Sequence, residues 1–103
     1  MKNLSVETLC VQGGYEPKNG ETRIPPLYQS TTYKYDNADE VAALFDLEKE
    51  GHMYSRISNP SLEVLEKKIA ALEGGVGALT TSSGQSANLL AILTICKTGD
   101  HIV

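Results

Sequence analysis

The segment TSSGQSA, residues 81–87, decides how the second half of this chain is organised. It stands between a short β-like run, residues 76–80, and an apolar run typical of a helix, residues 87–96. A turn of small residues that leads from a strand into a helix leaves backbone N–H groups unpaired where the helix begins. These donors and the positive end of the helix dipole together favour a bound anion, most often a phosphate.

Ser83, Gly84 and Gln85 are therefore candidate phosphate-binding residues. Gly84 allows an anion to approach the backbone, and Ser83 can add a hydroxyl donor. The pattern alone leaves another interpretation open, in which Ser83 only caps the helix and Gly84 only eases the turn. The segment matches neither the GxGxxG fingerprint nor a P-loop with GK[ST], so it gives little support to a dinucleotide or ATP site.

The residues around this segment, 59–103, predict helices and strands in a regular order. Asn59 is a typical N-cap, Pro60 suits the first helical position, and Gly74-Gly75 can end the helix with a positive φ. We then expect a strand over 76–81, a helix over 85–96 and a second strand over 101–103. The predicted helix 60–73 carries one apolar stripe, made of Leu62, Leu65, Ile69 and Leu72.

This order predicts a βαβ unit, hence an α/β fold with a parallel sheet and a right-handed crossover. A parallel sheet needs both faces covered, so the helix over 85–96 should pack on it through an apolar cluster of Leu89, Leu90, Ile92 and Leu93. Two strands are too few for such a sheet, and the chain stops as the second strand begins. We therefore expect a truncated piece of a longer protein.

Residues 1–58 differ from the rest, being polar and rich in turn residues such as Gly13-Gly14 and Pro25-Pro26. Ser5 could cap a short helix through Cys10, and Asn37 could cap a helix over 38–47. The helix over 38–47 has Val41, Leu44 and Phe45 on one side, and the run from Tyr28 to Tyr35 could be extended. This region has too little apolar surface to fold alone, so we expect an N-terminal arm that packs on something larger.

Tyr54-Ser55-Arg56 is a second candidate for phosphate binding. Alternate residues of an extended segment share one face, so the phenol and the guanidinium could bind one phosphate together. Arginine does so through a bidentate pair of hydrogen bonds. An ordinary surface tyrosine and arginine in a loop is the alternative that the pattern leaves open.

Composition excludes several classes of function. The 103 residues carry a formal net charge of −4, which argues against a general binder of nucleic acids or acidic membranes. No apolar run approaches the roughly 20 residues of a membrane span, and the N-terminus lacks the pattern of a secretory signal. The two cysteines, Cys10 and Cys96, form no CxxC pair, which favours reduced thiols in a cytoplasmic protein.

Catalytic and metal-binding patterns are missing from the sequence. His52 and His101 have no partner at metal-ligand spacing, so we expect no metal site. Lys67, Lys68 and Lys97 fall at helix surfaces or ends, whereas a reactive lysine needs desolvation or a cationic neighbour. Paired catalytic carboxylates and a Ser/His/Asp constellation are also not recognisable in the sequence.

The run MYSRISNPSLEVLEKKIAALEGGVGALTTSSGQSANLLAI, residues 53–92, resembles the Cys/Met-metabolism family of pyridoxal-phosphate enzymes. ETLCVQGGYEP and IPPLYQSTTYKYDN, in the first half, resemble the opening segment and the proline-containing arm of that family. Several motifs in the right order carry the resemblance: Tyr54-Ser55-Arg56, Ser58-Asn59-Pro60, Leu65-Glu66, Ala71-Leu72-Glu73-Gly74 and Ser82-Ser83-Gly84-Gln85.

The resemblance implies a fold-type I architecture like that of aspartate aminotransferase. Residues 1–58 would be an arm that makes intersubunit contacts, and residues 59–103 would begin the large cofactor domain of a homodimer or homotetramer. In such enzymes the strand-to-helix turn binds the cofactor phosphate, here Ser83, Gly84 and Gln85. The Tyr-x-Arg pair, here Tyr54 and Arg56, reaches the phosphate of the neighbouring subunit.

No catalytic residue is expected in this chain, because the resemblance implies that the Schiff-base lysine lies beyond Val103. The cofactor's ring partners and the arginine that holds the substrate carboxylate would lie there too. The parent would be an enzyme acting on a small amino-acid substrate, and the fragment alone would be inactive.

VAALFDLEKEGHMYSRISNP and Gln85 are most similar to the O-acetylhomoserine sulfhydrylase branch of the family. That branch replaces the acetate of O-acetylhomoserine with sulfide or methanethiol. A γ-synthase or lyase of the same family is the first alternative. A non-catalytic interaction module that binds a full-length homologue through its arm is an alternative of another class.

Overall fold

The computed structural model describes residues 4–103, whose regular structure consists of helices. The helices of this region are α1 Val6–Gln12, α2 Ala38–Phe45, α3 Pro60–Glu73 and α4 Gly84–Ile95. All four lie where the sequence predicts a helix; α3 has the predicted bounds, and the ends of the other three differ by at most two residues.

Each helix begins at the N-cap that the sequence predicts. A side-chain oxygen of the cap accepts a hydrogen bond from a backbone N–H of the first turn, which satisfies one of the donors that a helix start leaves unpaired. The four caps are Ser5, Asn37, Asn59 and Ser83. Helix α3 ends at Gly74 with a φ of 66°, the left-handed conformation that glycine adopts at least cost.

The two predicted strands, 76–81 and 101–103, and with them the βαβ unit, are not formed in residues 4–103. The β-pairing of this region is a single antiparallel bridge between Thr32 and Tyr54. A strand exists through hydrogen bonds to neighbouring strands, and these two segments make none with each other. The run from Tyr28 to Tyr35, predicted to be extended, finds its partner in Tyr54 at this bridge.

The predicted apolar faces are largely exposed in the described residues. Leu89, Leu90, Ile92 and Leu93 are all exposed on α4, contrary to the expected packing on a sheet. Phe45 on α2 is exposed as well, whereas Leu44 beside it is 1% exposed. The stripe of α3 is partly exposed, and the buried residue of that helix is Ala70.

Helix α1 and the loop that follows it pack against α3. Lys68 on α3 donates through Nζ to the carbonyl oxygens of Cys10 and Val11, at 3.0 and 3.4 Å. Gly14 follows with a φ of +83°, and a Cβ there would lie 2.2 Å from the carbonyl oxygen of Val64. The loop after α1 therefore touches the α3 backbone at a point where only glycine fits.

None of the helices in residues 4–103 is long and apolar enough to cross a membrane.

Candidate functional site

The turn before α4 has the donor arrangement that the sequence predicts. The Ser83 hydroxyl accepts from the Ser86 N–H at 3.1 Å, and the Ala87 N–H donates to the Ser83 carbonyl at 3.1 Å. Within residues 4–103 no protein acceptor takes the N–H groups of Gly84 and Gln85. Both residues are exposed, and a Cβ built on Gly84 would meet nothing within 4 Å. The turn therefore offers two free backbone donors to an open space.

Glu66 on α3 holds the segment that enters this turn. Its Oε1 accepts from both the backbone N–H and the hydroxyl of Thr80, at 2.8 and 2.9 Å. The Thr81 hydroxyl then donates to the Ser83 carbonyl at 2.9 Å. A charged acceptor on a helix thus replaces a neighbouring strand in fixing this segment. The sequence predicts no contact for Glu66, which stands out only through the Leu65-Glu66 motif of the resemblance.

Tyr54 and Arg56 are brought together, but by a turn and not by an extended segment. The N–H groups of Ile57 and Ser58 both donate to the Tyr54 carbonyl, at 2.9 and 3.0 Å. The turn places the Arg56 guanidinium carbon 5.0 Å from the centre of the Tyr54 ring, which is cation–π distance. Neither the Tyr54 hydroxyl nor the Arg56 guanidinium has a hydrogen-bond or ion-pair partner among the described residues.

Asn59 ties this turn to the arm and to α3. It is 8% exposed, and its side-chain amide donates to the Tyr28 carbonyl and to the Ser55 hydroxyl, both at 3.0 Å. Its Oδ1 accepts from the Ser61 N–H at 2.8 Å, which is the helix cap. Each hydrogen-bonding atom of the buried side chain is therefore used, as burial of a polar group requires. The sequence predicts the cap, but not the contacts of the Asn59 amide with Tyr28 and Ser55.

A second network surrounds His52. Its Nδ1 lies 3.0 Å from the Ser58 hydroxyl, and its Nε2 lies 3.0 Å from Oε2 of Glu63 on α3. Lys67 forms an ion pair with the other oxygen of Glu63. The Lys67 ammonium holds the pKa of Glu63 below its usual range; His52 acts in the same direction, and partial burial opposes both. No motif in the sequence predicts this Ser–His–Glu arrangement.

The two candidate groups, Tyr54 with Arg56 and Ser83 with Gly84 and Gln85, remain apart in the described chain. No hydrogen bond or ion pair joins one group to the other in residues 4–103. Each is held by α3 instead, the first through Asn59 at its start and the second through Glu66 in its middle.

The family model described as Cys/Met metabolism PLP-dependent enzyme matches residues 7–103. The chain belongs to this family. It is 50% identical over 103 residues to the O-acetyl-L-homoserine sulfhydrylase of Leptospira meyeri, covering 99% of this chain and 23% of the relative. It is 47% identical to O-acetyl-L-homoserine sulfhydrylase 1 of Thermus thermophilus, covering 97% of this chain and 24% of the relative. The chain thus spans about a quarter of the length of these relatives.

A crystal structure from Campylobacter jejuni, described as a (thiol)-lyase for O-acetylhomoserine, matches with a TM-score of 0.87 and 37% identity. The match covers 95% of this chain and 24% of that one, which carries N'-pyridoxyl-lysine-5'-monophosphate at its position 205. This likeness confirms the expected fold-type I architecture at a coarse level. The βαβ unit expected within it is absent from the described residues.

The unpaired donors of these two groups suit the phosphate of the family's cofactor. Two backbone N–H groups at the start of a helix, a phenol and a guanidinium all lack a partner within residues 4–103. A phosphate carries several acceptor oxygens and a double negative charge near neutral pH, so it can accept from all of these donors. No carboxylate in the described region pairs with Arg56 and competes for that place.

Proposed function

We propose that this chain is the N-terminal part of a pyridoxal-phosphate-dependent transferase of sulfur amino-acid metabolism. The whole enzyme replaces the acetate of O-acetylhomoserine with sulfide or methanethiol and gives homocysteine or methionine. The names of the relatives from Leptospira meyeri and Thermus thermophilus support this assignment. A homocysteine/cysteine synthase of Kluyveromyces lactis, 48% identical over 100 residues, supports it as well.

The single observation that carries the proposal is the set of uncommitted donors in two separate places. Gly84 and Gln85 offer backbone N–H groups, and Tyr54 and Arg56 offer a phenol and a guanidinium that have no hydrogen-bond or ion-pair partner among the described residues. Neither group would hold a phosphate firmly alone. Two subunits of a homodimer would combine them, one subunit supplying the helix start and the other the Tyr54–Arg56 turn.

When bound, pyridoxal phosphate supplies an electron-withdrawing ring that stabilises negative charge on the substrate. The residues of this chain hold its phosphate. Gly84 and Gln85 donate backbone hydrogen bonds to it, and Ser83 shapes the turn as the helix cap. Arg56, reaching over from the neighbouring subunit, neutralises the negative charge of the phosphate. The lysine that binds the cofactor covalently lies beyond Val103, as does the arginine for the substrate carboxylate. We place the enzyme in the cytoplasm, as a homodimer or homotetramer.

The test uses the full-length enzyme. Purified protein should bind pyridoxal phosphate with a visible absorbance band, and should release acetate from O-acetylhomoserine only when sulfide or methanethiol is present. Parallel reactions with cysteine as the second substrate, and with cystathionine or methionine alone, distinguish a γ-synthase and the lyases of the same family. Binding of the cofactor with turnover only in those parallel reactions would overturn the substrate assignment, and failure to bind the cofactor would overturn the proposal.

A further inference from the structure

One side chain bridges the two ends of the turn that carries Tyr54 and Arg56, in addition to the backbone hydrogen bonds within the turn. His52 precedes the turn and Ser58 follows it, and the imidazole Nδ1 lies 3.0 Å from the Ser58 hydroxyl. The other ring nitrogen, Nε2, lies 3.0 Å from Glu63 Oε2 on α3. The residues between these two contact points, 53–57, contain both phosphate candidates of the turn.

The proton positions of the His52 ring follow from its partners. The ionised carboxylate of Glu63 can only accept hydrogen bonds, so Nε2 carries a proton and donates to it. In the neutral ring Nδ1 is then an acceptor, and the Ser58 hydroxyl donates to it. Lys67 pairs with the second Glu63 oxygen, so the carboxylate that orients the ring is itself held in place.

Further contacts fix the rest of His52. The Tyr35 hydroxyl donates to the His52 carbonyl at 2.6 Å, and the Tyr33 ring packs against the imidazole at a centroid distance of 5.9 Å. The side chain is 22% exposed, so its contacts are shielded from most competition by water. Ser58 adjoins Asn59, the buried cap of α3, and the His52–Ser58 bond therefore ties the first end of the turn to the rigid start of a helix.

A hydrolytic role for these side chains fits the structure less well. Ser58, His52 and Glu63 follow the order of a nucleophile, a base and an orienting acid. However, the Ser58 N–H donates to the Tyr54 carbonyl, and the Asn59 side-chain amide donates to the Tyr28 carbonyl and the Ser55 hydroxyl. These nearby donors hold the turn together and are not free to stabilise an oxyanion.

We propose that His52 is a positioning residue for cofactor binding, which sets the place of Arg56 through its hydrogen bond to Ser58. This inference rests on the proposed function. A guanidinium must lie within hydrogen-bond distance of the phosphate, and a turn that lacks the His52–Ser58 contact lets Arg56 occupy more positions. The imidazole does not touch the phosphate, and its effect passes through Arg56.

Two substitutions of His52 separate its two contacts. Asparagine keeps an acceptor oxygen on Cγ, where the imidazole has Nδ1, and loses the reach to Glu63. Glutamine places an N–H donor near the position of Nε2 and loses the contact with Ser58. In the full-length enzyme we expect His52→Gln and Ser58→Ala to raise the Kd for pyridoxal phosphate about three- to tenfold, the effect of one hydrogen bond. We expect His52→Asn to stay within about twofold of wild type.

Three controls separate positioning from a general loss of structure. Pyridoxal lacks the phosphate, so its Kd should be the same in His52→Gln and wild type. In an Arg56→Ala background, His52→Gln should have no further effect on the Kd for pyridoxal phosphate, because the residue that it positions is gone. His101→Gln changes the other histidine of the chain, which is exposed, and should bind like wild type.

The outcomes are distinct. A wild-type enzyme that binds no pyridoxal phosphate overturns the proposed function and this inference with it. A wild-type enzyme that binds the cofactor, with His52→Gln unchanged, overturns only the role of His52. Equal weakening for pyridoxal and pyridoxal phosphate, or additive effects of His52→Gln and Arg56→Ala, also contradicts positioning through Arg56.

Discussion

Arg56 has a cation–π contact with Tyr54, 5.0 Å from the ring centre, and no carboxylate partner in residues 4–103. An exposed guanidinium held by an aromatic ring and by no acid is available to an external anion. Its fixed fork of donors matches the oxygens of a phosphate, which lysine cannot reproduce. The proposed phosphate contact can therefore be tested by changing this one residue.

In the full-length enzyme, Arg56→Ala should weaken the affinity for pyridoxal phosphate roughly ten- to a hundredfold, because it removes a charge-assisted hydrogen bond worth ~1.5–3 kcal/mol. Tyr54→Phe should have a smaller effect in the same direction. Excess cofactor should partly restore activity and dimer stability, since it binds the assembled state. Equilibrium titration followed by absorbance gives the Kd.

Arg23→Ala serves as the control for Arg56→Ala. Arg23 is the other arginine of the chain and is also exposed, so it reports the effect of losing one surface positive charge. Equal affinities of wild type and Arg56→Ala would show that Arg56 does not touch the phosphate. The intersubunit role of Tyr54 and Arg56 would then be wrong.

The residues that the sequence predicts correctly are those whose partners are local. Ser5, Asn37, Asn59 and Ser83 each cap a helix by contacting a residue two or three positions ahead, so their role is written in a short motif. His52 contacts Glu63 eleven positions away, and Glu66 contacts Thr80 fourteen positions away. Which polar residues meet at such separations depends on how the elements pack, and periodicity contains no information on that.

Among the secondary-structure elements, helices were predictable and strands were not. A helix satisfies its hydrogen bonds within one segment, so caps, apolar spacing and Gly74 identify α3 from the sequence alone. A strand depends on neighbours, and the segments 76–81 and 101–103 find none in the described chain. The β-like composition of such segments favours an extended backbone, but a strand forms only when a neighbouring strand pairs with it.

The packing of α1 on α3 depends on a close backbone approach at Gly14. A Cβ at this position would lie 2.2 Å from the Val64 carbonyl oxygen and 2.9 Å from the backbone nitrogen of Lys68. We expect Gly14→Ala to destabilise the full-length enzyme by roughly 2–5 kcal/mol, because the cost of the left-handed backbone and the cost of the displaced loop add together. Urea unfolding measures the loss, and limited proteolysis should show earlier cleavage near α1.

Gly20→Ala is a matched control for that substitution. Gly20 has nearly the same φ, +84°, but a Cβ there meets nothing within 4 Å. It should therefore cost only the ~1–2 kcal/mol of the left-handed conformation. If both variants lower the free energy of unfolding by the same amount, the contact of the Gly14 loop with α3 does not contribute to stability.

On the scale of the whole molecule, the three lysines of residues 59–103 are not placed for covalent chemistry. Lys67 pairs with Glu63, Lys68 donates to the carbonyls of Cys10 and Val11, and Lys97 is exposed. Protonated or well-solvated amines are poor nucleophiles. The 103-residue chain mixed with pyridoxal phosphate and borohydride should therefore give no stoichiometric adduct at one lysine, as mass spectrometry would show. A single fully modified lysine would contradict this expectation.

The chain buries too little apolar surface to fold cooperatively alone. Its accessible surface is 8800 Å², whereas a compact domain of 11.1 kDa exposes about 5,700 Å² by the usual scaling with mass. Its radius of gyration is 16.9 Å, against roughly 13 Å for a compact chain of this length. Only Leu44 and Ala70 are buried apolar residues in the described region, and they cannot offset the entropy of ordering the backbone.

The isolated chain should therefore show a broad, non-cooperative thermal transition, bind a hydrophobic dye, and self-associate with increasing concentration through the exposed apolar face of α4. Calorimetry, dye fluorescence and sedimentation measure these three properties. The full-length enzyme at matched concentration is the control, because its additional sequence can cover α3 and α4; it should melt sharply and bind little dye. A sharp two-state melt from a monodisperse monomer of the isolated chain would show that the helices stabilise each other far more than their exposed surfaces indicate.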